Sequence, residues 1–83
     1  MYNYFMIIGN VAEIESSFVT VKVQRPFKNA QGEFEFDYLV VETPEYVGQM
    51  TNEGFKVGDH ISIKGRMIPS GTQARLIGER IMK

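Results

Sequence analysis

The chain reads as an all-β domain of five short strands with one short helix between the third and the fourth. Three observations carry this reading. Apolar and polar residues alternate with a period of two through residues 18–41 and again from residue 60 onward, the spacing of half-buried strands. Turn signals rich in glycine and asparagine separate these stretches at short intervals. Residues 43–52 break the pattern with a helix signature.

The first strand is expected over residues 4–11. Phe5 and Ile7 lie on one face and Tyr4, Met6 and Ile8 on the other, so both faces are apolar. Such a strand is central or pressed against another subunit. Residues 13–17 read as a polar turn. The second strand, residues 18–27, puts Val19, Val21 and Val23 at one parity and Phe18, Thr20, Lys22 and Gln24 at the other. Pro26 cannot donate to a ladder and marks an end or an edge. Asn29-Ala30-Gln31-Gly32 supplies a hairpin turn with glycine at the left-handed position.

The third strand, residues 33–41, turns Leu39 and Val41 one way and Phe34, Phe36, Tyr38 and Val40 the other. Thr43 before Pro44 is an amino-terminal cap signal. Tyr46, Val47 and Met50 fit one helix face, stopped near Asn52 and Gly54. A turn at residues 56–59 leads into a fourth strand over 60–67 with Ile61 and Ile63 inward. A tight connection at 70–72 leads into a fifth over 74–82. The order β-β-β-α-β-β is that of an OB-fold, a five-stranded Greek-key barrel with its helix plugging one end. Residues 1–83 are expected to form one such domain.

Composition narrows the function classes. With no cysteine there is no disulfide, thiol nucleophile or cysteine zinc site. His60, the one histidine, stands at a strand start with no second histidine to join it in a metal site. Residues 54–59 lack the spacing of a phosphate loop. No enzymatic activity and no cofactor are expected. No apolar run approaches the roughly 18 residues of a membrane span. The amino end has no basic region or small-residue cleavage site, so a cytoplasmic location is expected. The net charge of −1 hides an asymmetry: residues 1–53 carry three basic and eight acidic side chains, residues 54–83 six basic and two acidic. A domain of 83 residues without disulfides is at the small end of what one core stabilises, which favours self-association.

The most informative segment is 18–41. Each of its two strands has an apolar face for a core. The opposite face is too aromatic and too basic to be plain solvent surface, and it is the candidate site. Exposed aromatics on a barrel can stack on the bases of a single strand without reading sequence, while nearby cations track its phosphates.

Several segments resemble the bacterial single-stranded DNA-binding protein family. They are Met6-Ile7-Ile8-Gly9-Asn10-Val11, Arg25-Pro26-Phe27-Lys28-Asn29-Ala30-Gln31-Gly32-Glu33, Asp37-Tyr38-Leu39-Val40-Val41, and residues 57–67 (VGDHISIKGRM). The resemblance implies that Phe27 and Tyr38 stack on bases; the aromatic row itself adds Phe34 and Phe36 behind them, either as further stacking rings or packed within the hairpin or against another subunit. The resemblance also implies pairing of the first strand with its copy in a neighbouring subunit through Tyr4, Met6 and Ile8, giving a homodimer or homotetramer. Three departures stand out. The hairpin between strands four and five is short, the position of a third stacking aromatic falls near Pro44, and an acidic-tipped tail has no counterpart in these residues.

Lys22, Arg25 and Lys28 on or beside strand two, with Lys64 and Arg66 on strand four, are the expected phosphate contacts. Glu33, Glu35 and Asp37, at the parity opposite the aromatics, are expected to weaken binding near the turn. The resulting expectation is non-sequence-specific binding of single-stranded DNA in replication, recombination or repair. RNA is left open because no residue visibly reads a 2′-hydroxyl. The alternative is a protein-interaction module of a replication or mobile-element complex that uses the same aromatic surface.

Overall fold

The structure, a computed structural model, describes residues 3–15, 17–43 and 54–83. Its strands are β1 (Tyr4–Ile14), β2 (Phe18–Lys28), β3 (Phe34–Glu42), β4 (His60–Ser70) and β5 (Gln73–Met82). They close into a barrel in the order β1-β2-β3-β5-β4. β1 runs antiparallel to both β2 and β4, as do β2 to β3 and β4 to β5, while β3 meets β5 in parallel at Glu42 and Ile77. This is the OB-fold. The helix expected over 44–52 lies outside the described residues.

Alternation explains the core. Val19 and Val21 of β2, Val41 of β3, and Ile61 and Ile63 of β4 are fully or almost fully buried, joined by Ile7 and Val11 of β1. Phe55 enters the same cluster from the loop before β4, a contribution that periodicity could not reveal because this residue is in no strand.

β1 serves two neighbours. Residues 4–10 pair with β4 and residues 10–14 with β2. A strand shared in this way must bend, and its register with β2 shifts between Val11 and Glu13, as a β-bulge allows. The loop before β4 docks on the bend: Val11 N–H donates to the Asp59 carbonyl and the Val11 carbonyl accepts from Gly58 N–H, both at 2.8 Å. The strands cross tightly at Gly65, where a Cβ would run into the Ile77 carbonyl and the Phe5 ring. Glycine is required there by the close approach of backbone.

Three expected boundaries are corrected. Residues 13–14 belong to β1 instead of a polar turn, because the bulge returns Ile14 to the inside opposite Val19. β2 runs through Pro26 to Lys28, because the proline falls where the β2–β3 register is irregular, between Gln24 and Lys28, and no regular ladder bond is asked of it. β4 reaches Ser70, because beyond Met67, whose N–H donates to the Asn3 carbonyl, it pairs with β5 alone and Pro69 can sit on an open edge. Among the described residues no helix is long and apolar enough to cross a membrane.

Candidate nucleic-acid interface

The β2–β3 hairpin extends beyond the barrel core, and its outward face carries Phe34, Phe36 and Tyr38. Cross-strand pairs share a face. Lys22 is opposite Tyr38, Gln24 opposite Phe36 and Lys28 opposite Phe34. Thr20 and Val40 continue the row toward the barrel, and Asn10 of β1 extends it sideways as the other neighbour of Lys22. Val40 and Thr20 were readable by parity. Asn10 joins only through the β1–β2 register, which no spacing along one strand contains.

Phe27 is 80% exposed and Tyr38 61%. Phe34 and Phe36 are less open, each 42% exposed, and each lies beneath an ammonium. Lys22 Nζ is 4.2 Å from the Phe36 centroid and Lys28 Nζ 5.6 Å from that of Phe34. Both distances fall within cation–π range. Among the described residues no ammonium covers Phe27 or Tyr38, so these two rings are the ones presented bare.

Arg25 is on the other side of the hairpin. It has the parity that lower in the sheet faces the core, but the core ends at Val23 and Leu39, so this face carries charge instead. Its guanidinium donates from Nε and Nη2 to the Asp37 carboxylate at 2.9–3.2 Å and from Nη1 to Glu35 Oε2 at 2.7 Å. The hydrogen bond from Arg25 holds the Asp37 carboxyl below its usual range, and Asp37 in turn raises the Arg25 pKa. Two of the three acids expected to repel phosphate near the turn are thereby paired. The turn is closed by Asn29, whose N–H donates to the Glu33 carbonyl at 2.7 Å and whose Oδ1 accepts from Gln31 and Glu33 N–H at 3.0 Å. Gly32 takes the left-handed conformation expected of it, with φ 78°.

Lys64 and Arg66 share the outward side of the sheet through Met6 and Tyr4 but are not on the hairpin. β1 stands between their strand and β2. Their cross-strand partners are Met6 and Tyr4. Arg66 Nε also pairs with Glu79 at 3.1 Å. Tyr4, Met6 and Ile8 are all exposed on β1, and a cavity of about 420 Å³ opens beside Tyr4 and Met6, lined also by Lys64, Gly65 and Arg80. The predicted cations thus separate into three groups: Lys22 and Lys28 with the aromatics, Arg25 behind them, and Lys64 and Arg66 beside the apolar patch of β1.

No protein-family model and no curated protein sequence matches the chain. Solved structures do match it. A mitochondrial single-stranded DNA-binding protein from S. cerevisiae superimposes with a TM-score of 0.72 at 11% identity, over 99% of this chain and 93% of that one. The small single-stranded DNA-binding protein from Streptomyces coelicolor gives 0.65 at 14%, over 99% and 92%. A Plasmodium falciparum SSB in complex with ssDNA gives 0.63 at 13%, over 99% and 94%. At such identities the likeness is one of fold: the chain shares the barrel of these three proteins.

Proposed function

We propose that the chain binds single-stranded DNA without sequence preference through the outward face of the β2–β3 hairpin. The observation that carries this is the interleaving of lysines and rings on one exposed face, fixed by the pairs Lys22–Tyr38 and Lys28–Phe34. Phe27 and Tyr38 stack on bases, and Lys22 and Lys28 contact the flanking phosphates. For Phe34 and Phe36, a base reaches the ring only if the ammonium above it moves aside. A nucleotide suits that exchange, because the lysine that leaves the ring can meet the phosphate beside the arriving base. Named ssDNA binders share this barrel, which supports the reading. None of these roles calls for a catalytic group or a cofactor.

The apolar row Tyr4, Met6 and Ile8 supports a second role for β1, as the surface on which a second copy packs. Lys64 and Arg66 then border that interface instead of supplying the hairpin's phosphate contacts.

The test is a titration of a fluorescein-labelled thirty-nucleotide oligo-dT at low salt, followed by anisotropy, with a duplex as control. Binding at micromolar concentration or tighter, preferring the single strand and weakening with salt, is expected. Each phosphate neutralised contributes about −0.7 to the slope of log affinity against log salt, so the two lysines alone give roughly −1.4. Absence of binding at low salt would overturn the proposal and turn the search to protein partners of the same face.

A further inference from the structure

We infer that Arg25 is a brace for the hairpin, a positioning residue and not a phosphate ligand. Its part in DNA binding rests on the reading above, but the brace itself can be tested without DNA. Between the pairs Gln24–Phe36 and Lys28–Phe34, three residues of β2, Arg25-Pro26-Phe27, lie opposite one residue of β3, Glu35. Pro26 has no N–H to contribute. The ladder is therefore broken midway along the hairpin, and the break lies beside Phe27, the most exposed ring. A hairpin interrupted in this way, beyond any apolar core, needs another tie if its rings are to keep a fixed arrangement.

Arg25 supplies that tie from the face away from Phe34, Phe36 and Tyr38. One edge of its guanidinium, Nε and Nη2, engages Asp37 below the break, and Nη1 engages Glu35 within it. Glu35 accepts in turn from Asn29 Nδ2 at 3.4 Å, and Asn29 organises the turn. A continuous chain of contacts thus runs from Asp37 past the break to the tip. The planar fork of arginine can hold two carboxylates placed two residues apart on the neighbouring strand, which a lysine ammonium does not reproduce. The edge that would grip a phosphate in two-pronged fashion is already occupied.

The substitutions Arg25→Lys and Arg25→Gln separate a brace from a ligand. For a brace, both variants lose affinity for oligo-dT by about two- to tenfold, as expected for exposed ion pairs that pre-organise a site, while the salt slope stays at the wild-type value. Exchanging the partners in Arg25→Asp/Asp37→Arg restores part of the loss. For a phosphate ligand, Arg25→Lys would keep its affinity and Arg25→Gln would flatten the slope by about 0.7, and either result would overturn the inference. In the free protein, amide hydrogen exchange at Asn29, Gly32 and Glu33 should quicken severalfold in Arg25→Lys, with the barrel amides of Val11 and Thr43 unchanged. Unchanged exchange at the turn would also overturn it. If exchange quickens but the wild-type protein binds no single strand, the brace stands and the DNA reading falls.

Discussion

Lys22 has Tyr38 as its register partner, yet its ammonium lies 4.2 Å from the ring centroid of Phe36, one position further along the same face of β3. This diagonal reach leaves Tyr38 bare and covers Phe36, so the rings of one strand face are inequivalent before any ligand arrives. On the proposed function, a single strand should be held best where a ring is open and a lysine is close enough to serve the next phosphate.

Replacing a bare ring should therefore matter more than replacing a covered one. Phe27→Ala and Tyr38→Ala should each weaken oligo-dT binding by about 1–3 kcal/mol, or roughly 5- to 150-fold, the range for loss of one stacked base. Phe36→Ala should fall at or below the lower end. Anisotropy titrations at one fixed salt concentration measure all three. Equal losses at Phe36 and Tyr38 would show that the lysine does not protect its ring.

The division of the cations predicts different salt responses. Lys22→Gln and Lys28→Gln should each flatten the log–log salt slope by about 0.7. Lys64→Gln, beyond β1 from the hairpin, should leave the slope unchanged on an oligonucleotide short enough to occupy one hairpin.

The face of β1 predicts an assembly defect. Ile8→Glu puts a charge among Tyr4, Met6 and Ser62, the last being its partner on β4. Sedimentation velocity should show the wild-type protein as a dimer or larger and this variant shifted toward monomer, because an unpaired charge is poorly tolerated in a buried interface. A wild-type monomer at tens of micromolar would remove the second copy from the account.

Packing should be most sensitive where the strands cross. Gly65→Ala forces a methyl group against the Ile77 carbonyl and should destabilise the fold by about 1–3 kcal/mol, as other overpacked sites do. Ile63→Ala, at a fully buried position, should cost about 2–5 kcal/mol. Urea midpoints at constant m-value report both.

Acid should loosen the barrel where β3 meets β5. Arg75 donates from Nε and Nη2 to the two carboxylate oxygens of Glu42, both at 2.8 Å, beside the Glu42–Ile77 pair. The hydrogen bond from Arg75 holds the Glu42 pKa below its ordinary 4.5. A depressed carboxylate contributes stability that is fully present above its unfolded pKa and is lost as pH falls through the folded one. Glu42→Gln should therefore lower stability at neutral pH and flatten the acid limb of the stability curve below about pH 4.5. Denaturant titrations at several pH values would show this.

The sequence by itself determined the strands, their inward faces and the fold class, because side-chain alternation is a local property. Val19, Val21, Val41, Ile61 and Ile63 point inward by parity alone. It also identified Phe27, Phe34, Phe36 and Tyr38 as the odd feature of the second face. Tertiary structure decided what those residues stand beside. Strand order inserted β1 between β2 and β4 and so set Lys64 and Arg66 beside Met6 and Tyr4, one strand away from the hairpin. The pairing of β2 with β3 set Arg25 against Asp37 and Glu35. The bend at Val11 kept β1 running where a turn was expected. Each of these depends on which strand lies next to which, and at what offset. That is a long-range choice made by the whole barrel, and no spacing along one strand encodes it.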